Sequence, residues 1–195
     1  MKRITLIAAM LCTLMFFTCN TEELDQDLNA EANFRVYESV NADKKTSTVN
    51  PCMTINLIAG QNNIVGRVEV NTKGQDLQIT YTTDRDWTIQ ATHMSIGNCD
   101  EQWVPTKGPG NPKVGRFEHS SSHSKGVSQV IYLIDSSVLN EAYCFAAHAE
   151  VSGPMGGETA WIEGLDFGGN SWAMYKEAFL SDCALDDGDS VNPAK

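Results

Sequence analysis

The residues able to do chemistry are few, and their spacing excludes most of it. No G-x-S-x-G nucleophile elbow, no H-E-x-x-H zinc motif and no phosphate-binding P-loop occurs along the chain. Glu158 and Glu163 flank Trp161, and a glycosidase needs two carboxyls about 5–9 Å apart beside a sugar platform. On a strand these two have opposite parity and point to opposite faces, so they are not expected to work as a pair. Asp166 and Asn170 in DFGGN offer oxygens to calcium, but their spacing matches no calcium loop. A glycine-rich turn with local Asx hydrogen bonding is expected there instead. His119 and His123 lie in EHSSSHSKG, a spacing that chelates only on a helix, and the serine-rich composition indicates a solvated loop. Neither a metal centre nor a cofactor is expected.

Six cysteines occur, at positions 12, 19, 52, 99, 144 and 183. Cys12 lies in the apolar N-terminal run and Cys19 follows it after Thr18. The remaining four are even in number, show no C-x₂-C spacing, and indicate two disulfides in an oxidising compartment rather than zinc. Sequence alone leaves three connectivities open. The nested pairing is favoured: Cys52–Cys183 joining the ends of a domain, and Cys99–Cys144 tying the end of one strand to the start of another.

That inner pairing would assemble the most pointed polar group in the chain. If Cys99 and Cys144 face each other across antiparallel neighbours, residues whose numbers sum to 243 are opposite. His93 then faces Glu150, and His148 faces Ser95, all on the face of the two cysteines. A structural histidine–carboxylate pair is the first expectation and a binding or metal site the second. Ile89, Ala91 and His93 share one parity, whereas Met94 and Ile96 have the other. A β-bulge near Thr92 would reconcile them and break the register.

The elements that position these groups alternate with period two. Leu77, Ile79 and Tyr81 alternate with Gln78, Thr80 and Thr82, and Val68 and Val70 with Arg67 and Glu69. Trp87 and Ile89 in DWTIQA, the β-branched run VSQVIYLID, and Phe145, Ala147, Ala149 and Val151 in CFAAHAEV extend the pattern. Clusters of Gly, Asn, Asp and Pro separate these runs, as at 71–74 and 108–112. Short strands between turn signals indicate an all-β, antiparallel sandwich, Ig-like or jelly-roll-like, over residues 51–183. SWAMYKEAFL is read as a strand, although Trp172, Tyr175 and Phe179 also fit one helical face. Trp87 is expected in the core. Trp103, in the loop DEQWVPTKGPGNP, is expected to be the most exposed tryptophan, free to stack on a sugar or anchor a partner.

The N-terminal segment carries address rather than fold. Lys2 and Arg3 precede an uncharged run, Ile4–Phe17, too short to span a bilayer as a helix. Residues 1–18 read as a signal peptide. Leu14-Met15-Phe16-Phe17-Thr18-Cys19 looks like a bacterial lipobox, which makes Cys19 the lipidated residue, although Phe17 stands where a smaller residue is commoner. Lipid chains bind a membrane at about 0.8 kcal/mol per buried CH₂. Residues 19–50 are acidic and polar and are expected to form a flexible tether, with residues 184–195 as a disordered tail. The acidic stretch Glu22–Asp27 also resembles the signal that sends some lipoproteins to the outer face of the outer membrane. Losing Lys2 and Arg3 takes the formal charge from −11 to −13. That balance argues against nucleic acid, which needs a basic footprint.

The segments AGQ, GRVEV, YTT, GNPKVGRF, AAHAEV and ETAWIEGLDFGGNSWAMY, with a tryptophan ahead of His93, together resemble a β-sandwich domain of unknown function. That domain occurs in bacterial secreted and surface lipoproteins and adhesin-like proteins. The resemblance covers roughly residues 52–183 and implies an all-β fold outside the cytoplasm. It transfers no activity and no catalytic residue. The chain is therefore expected to be a non-catalytic, outer-membrane surface lipoprotein in adhesion or in glycan or protein binding. Trp103, His93, His148 and Glu150 are its candidate binding residues. The alternatives are a component of a carbohydrate-active hydrolase and a structural cell-envelope protein.

Overall fold

The computed structural model describes residues 34–39, as backbone, and residues 51–183. The signal peptide expected over 1–18, the lipidation expected at Cys19 and the tail expected over 184–195 lie outside the described residues. Thirteen strands and three short 3₁₀ turns make up the described fold, and every strand pairing is antiparallel. Among the described residues no helix is long and apolar enough to cross a membrane.

The sandwich is one sheet folded over itself rather than two separate sheets. Its first half runs β1 (Phe34–Ser39), β9 (Gln129–Asp135), β4 (Asp76–Thr83), β3 (Asn63–Lys73), β2 (Met53–Ala59). A short ladder of three residue pairs joins β2 to β11 (Gly156–Ile162). From there the second half continues through β10 (Ala142–Gly153) to β5 (Thr88–Asn98) and β8 (His119–Val127). One edge of β10 carries β5. The other carries β13 (Met174–Phe179) at its start and β11 at its end. A separate two-stranded piece, β6 (Thr106–Lys107) with β7 (Asn111–Pro112), and the short β12 (Leu165–Asp166) complete the fold.

Period-two alternation accounts for the interior. Leu77, Ile79 and Tyr81 of β4, Val68 and Val70 of β3, and Phe145, Ala147, Ala149 and Val151 of β10 all enter one buried cluster between the two halves. Burying a Phe or Ile side chain contributes about 1.5–3 kcal/mol, so this row dominates cohesion. Cys52 and Cys183 are bonded at the cluster's margin, and Cys99 and Cys144 form the second disulfide.

Two regions differ from the sequence expectation. The tether expected over 19–50 contributes a strand, since β1 pairs with β9 through six residue pairs. FRVYES carries β-branched and aromatic residues, a composition that fits a sheet even inside a polar stretch. The serine-rich segment expected as a solvated loop around His119 and His123 is β8, an edge strand on β5. Serines suit an edge strand because one of its faces meets water.

Candidate functional site

β10 is buried on both faces from Tyr143 to Ala149, and its outward-facing row builds the candidate site. Cys144, Ala146, His148 and Glu150 alternate with the interior residues, so they point away from the core. On β11 the same alternation turns Ala160 and Ile162 inward and Trp161 outward. A second apolar cluster covers this outer row: Val104, Phe117, Ala146, Trp161 and Ala173, with Trp103, Phe167, Trp172 and Tyr175 packed at its rim.

Two connections supply that cover. Residues 99–118, between β5 and β8, bring Trp103, Val104 and Phe117, and residues 163–173 bring Phe167 and Ala173. They are tied together by Asn111, whose Oδ1 accepts a hydrogen bond from the Ser171 amide at 2.9 Å. Asp166 Oδ1 accepts from the Gly168 amide at 2.5 Å, the Asx turn expected of DFGGN. Trp103 is thus not a free loop tryptophan. It is half-buried, its ring 5.9 Å from that of Phe167 and 5.5 Å from that of Tyr175, and its carbonyl accepts from Ser95 Oγ at 2.7 Å. Gly97 makes room for it, because a Cβ there would sit 2.9 Å from the Trp103 Cβ. The rings of Trp103, Phe167 and Tyr175 pack on one another, tilted by 32°, 50° and 45°, and all three residues are half-buried, forming an aromatic shelf.

His93, His148 and Glu150 meet beside the shelf, but in a different register from the one expected. Cys144 lies opposite Gly97, and His93 lies directly opposite His148 rather than Glu150. Facing positions therefore sum to 241, not 243, and His148 does not face Ser95. The cause is that Cys99 lies just past the end of β5, so its disulfide to Cys144 is a diagonal rather than a facing pair. A shift of two preserves parity, and Glu150 still reaches His93 diagonally, with Oε1 3.9 Å from Nε2. The bulge is present too, at Gln90 between the Ile89 and Ala91 pairings. It turns Ile89 inward with Met94 and Ile96, and because it precedes His93 it leaves the register at His93 intact.

Burial disfavours the charged form of both imidazoles. Burial pushes His148 down to about 3, with the neighbouring His93 adding to the shift. Burial also lowers His93, opposed by the Glu150 carboxylate. The two imidazole rings are 5.5 Å apart, and Trp161 packs edge-on against His148 at 4.7 Å. His93 Nδ1 is 3.0 Å from Ser120 Oγ, whereas His148 Nδ1 is buried without a hydrogen-bond partner. Among the described residues no group of three or more His, Cys, Asp and Glu side chains is arranged to hold a metal.

Sequence reasoning missed the role of the other two histidines. His123, 2% exposed, sits 3.2 Å from Thr92 Oγ1, which in turn is 2.5 Å from the Tyr132 hydroxyl. This polar group stitches β8, β5 and β9 across the sandwich. Half-buried His119 is lowered to about 4 by burial. Trp161 was legible as more than a sugar platform, because Ala160-Trp161-Ile162 puts apolar residues on both faces of one strand.

The carboxylates considered for hydrolysis stay apart. Asn56 Nδ2 donates to Glu163 Oε2 at 2.9 Å, while Glu158 Oε2 lies 3.3 Å from where a Cβ on Gly60 would be. Glu163 is thus held at the middle of β2 and Glu158 beside the turn past its end. No protein-family model, no curated protein and no solved structure matches this chain.

Proposed function

We propose that this protein is a non-catalytic binding protein that presents its outer aromatic shelf to a glycan. The observation that carries the reading is the arrangement of Trp103, Phe167 and Tyr175, whose touching rings are half-buried rather than sealed into the core. Partly exposed rings held by packing on one another lose little freedom on binding and offer apolar surface to a sugar ring. Ser120 and Glu150 are exposed on the same outer face, both against His93, and offer polar groups there. A protein ligand is the second reading, since partly exposed tryptophans also anchor protein interfaces.

The same proposal places the domain at the cell surface through lipid on Cys19. Its support is the apolar run that ends at that cysteine and the acidic residues that follow. Cys19→Ser is expected to move the protein from the detergent phase to the aqueous phase; wild type without acyl mass contradicts the anchor. For the ligand, the mature full-length chain is applied to an array of oligosaccharides. Saturable binding that Trp103→Ala abolishes in a folded protein is the expected result. Turnover of a polysaccharide, or no glycan bound, contradicts the reading.

A further inference from the structure

We propose that the gap where the sheet divides, between β2 and β13, is a second binding site that takes an extended peptide bearing a carboxylate. The ladder of β11 on β2 ends at Ile162. One more main-chain bond follows, from the Glu163 amide to the Asn56 carbonyl at 2.9 Å. The chain then turns towards β13, where Gly164 lies so close to the Tyr175 carbonyl that no Cβ would fit. Before Asn56, β2 has no strand on that side among the described residues. Main-chain groups in a ladder alternate between the two edges of a strand. The amide and carbonyl of Thr54 therefore point the same way as the Asn56 carbonyl, into the gap. Such an edge is a template for one more strand.

The gap is fixed at both ends. At one, Gly164 packs against β13. At the other, the Cys52–Cys183 bond ties the residue before β2 to the turn after β13, with Cα atoms 4.9 Å apart. Alongside β2 lies a cavity of about 400 Å³, inside the range of roughly 300–1,000 Å³ usual for ligand sites. Thr54, Asn56, Glu163, Leu165 and Lys176 are among the residues that line it.

Charge and main chain together select the occupant. Lys176 faces Phe145 across the β10 ladder, and facing residues of an antiparallel pair share one face. Lys176 thus lies on the core side of the sheet, in the row of Ala178. It is half-buried and forms no ion pair among the described residues. Glu163, the acid of the lining, accepts from Asn56 Nδ2 at 2.9 Å. A ligand carboxylate completes Lys176 with a charge-assisted bond, and an extended main chain completes Thr54. A small carboxylate satisfies only the first, and a neutral sugar leaves the ammonium uncompensated; a peptide with an acid group meets both. Tyr175 of the aromatic shelf adjoins Lys176 on β13 but faces the other way, so the two sites are independent.

The test applies the mature full-length chain to an array of acetylated, C-amidated pentapeptides with a central Asp. The same set with Asn, and a set ending in a free carboxylate, stand beside it. Saturable binding of Asp peptides is expected, at least ten-fold tighter than of their Asn counterparts, with NMR shifts at the amides of Thr54 and Lys176. Binding of the free-acid set alone would make the carboxylate a chain end, with the same dependence on Lys176. Lys176→Gln is expected to weaken the acid peptides at least ten-fold, and Lys107→Gln, on the β6–β7 hairpin, to leave them unchanged. The comparison of Asp with Asn peptides uses wild type and is independent of whether any variant folds. No saturable binding by either acidic set, acidic peptides no tighter than the Asn set, shifts that spare Thr54, or full affinity in folded Lys176→Gln overturns the proposal.

Discussion

The two faces of β10 are both buried, yet they are built of different materials. Inward, Phe145, Ala147, Ala149 and Val151 share a cluster with mainly aliphatic side chains from β2, β3, β4 and β5 and with buried Tyr81, Tyr132 and Tyr143. Outward, Ala146 and His148 share a cluster with Trp161 of β11, Tyr175 of β13, and Trp103, Phe117 and Phe167 from two long connections. Ladder strands close the interior, whereas the outer layer is held by side chains, one disulfide and a few loop hydrogen bonds. A core of the first kind stabilises. A cover of the second kind leaves aromatic rings half-exposed and histidines close to water, which is what a binding surface needs.

The two disulfides sharpen this contrast most strongly. Cys52 and Cys183 are separated by 131 residues and close the interior, whereas Cys99 and Cys144 are 45 apart and pin the cover. Loop entropy gives upper figures of roughly 5 and 4 kcal/mol respectively. Replacing Cys52 and Cys183 by Ala should therefore cause the larger loss in denaturant melts. The Cys99/Cys144 double variant should cost somewhat less stability and should be the one that changes the near-ultraviolet signal of the outer tryptophans. Equal effects on both readouts would erase the distinction between the two layers.

Next in size is the interior itself. Phe145→Ala should destabilise by about 3–5 kcal/mol, measured by urea denaturation, with ligand affinity unchanged in whatever fraction remains folded. A smaller and pH-dependent effect belongs to the outer row. His148 has a folded pKa of about 3, below the ordinary histidine value of 6.5. Between those values the unfolded chain takes up a proton that the folded chain refuses. Stability is then greatest above pH 6.5 and falls as the pH drops towards 3, by about 1.4 kcal/mol per unit for one such group. His119, lowered to about 4, adds to the fall. Thermal melts from pH 7 to pH 4 should show this slope, and His148→Gln should flatten it by about one proton.

Legibility in the sequence followed the same division. Interior strands were readable because Leu77, Ile79 and Tyr81, or Phe145, Ala147 and Ala149, alternate against polar or small residues. The bulge was readable from the parity conflict between Ile89 and Met94, though its position at Gln90 was not. Strands β1 and β8 were hidden because edge strands need only one apolar face or none, so polar composition resembles a loop. The facing of His93 and His148 was hidden by a two-residue slip that parity cannot detect. The shelf around Trp103 depends on contacts between residues 103, 167 and 175 across two connections, and no local pattern encodes such meetings.

The smallest expected change in stability carries the largest functional consequence. Trp103→Ala removes a half-buried ring and should cost only about 1–2 kcal/mol, while abolishing binding. The most direct measurement of that claim follows the indole N–H resonances of all four tryptophans by NMR during titration with a glycan the array identifies. The account predicts saturable shifts at Trp103 and Trp161 on the outer layer, with Trp87 against the interior unmoved. Shifts centred on Trp87, or saturable binding that leaves Trp103 and Trp161 unmoved, would contradict it.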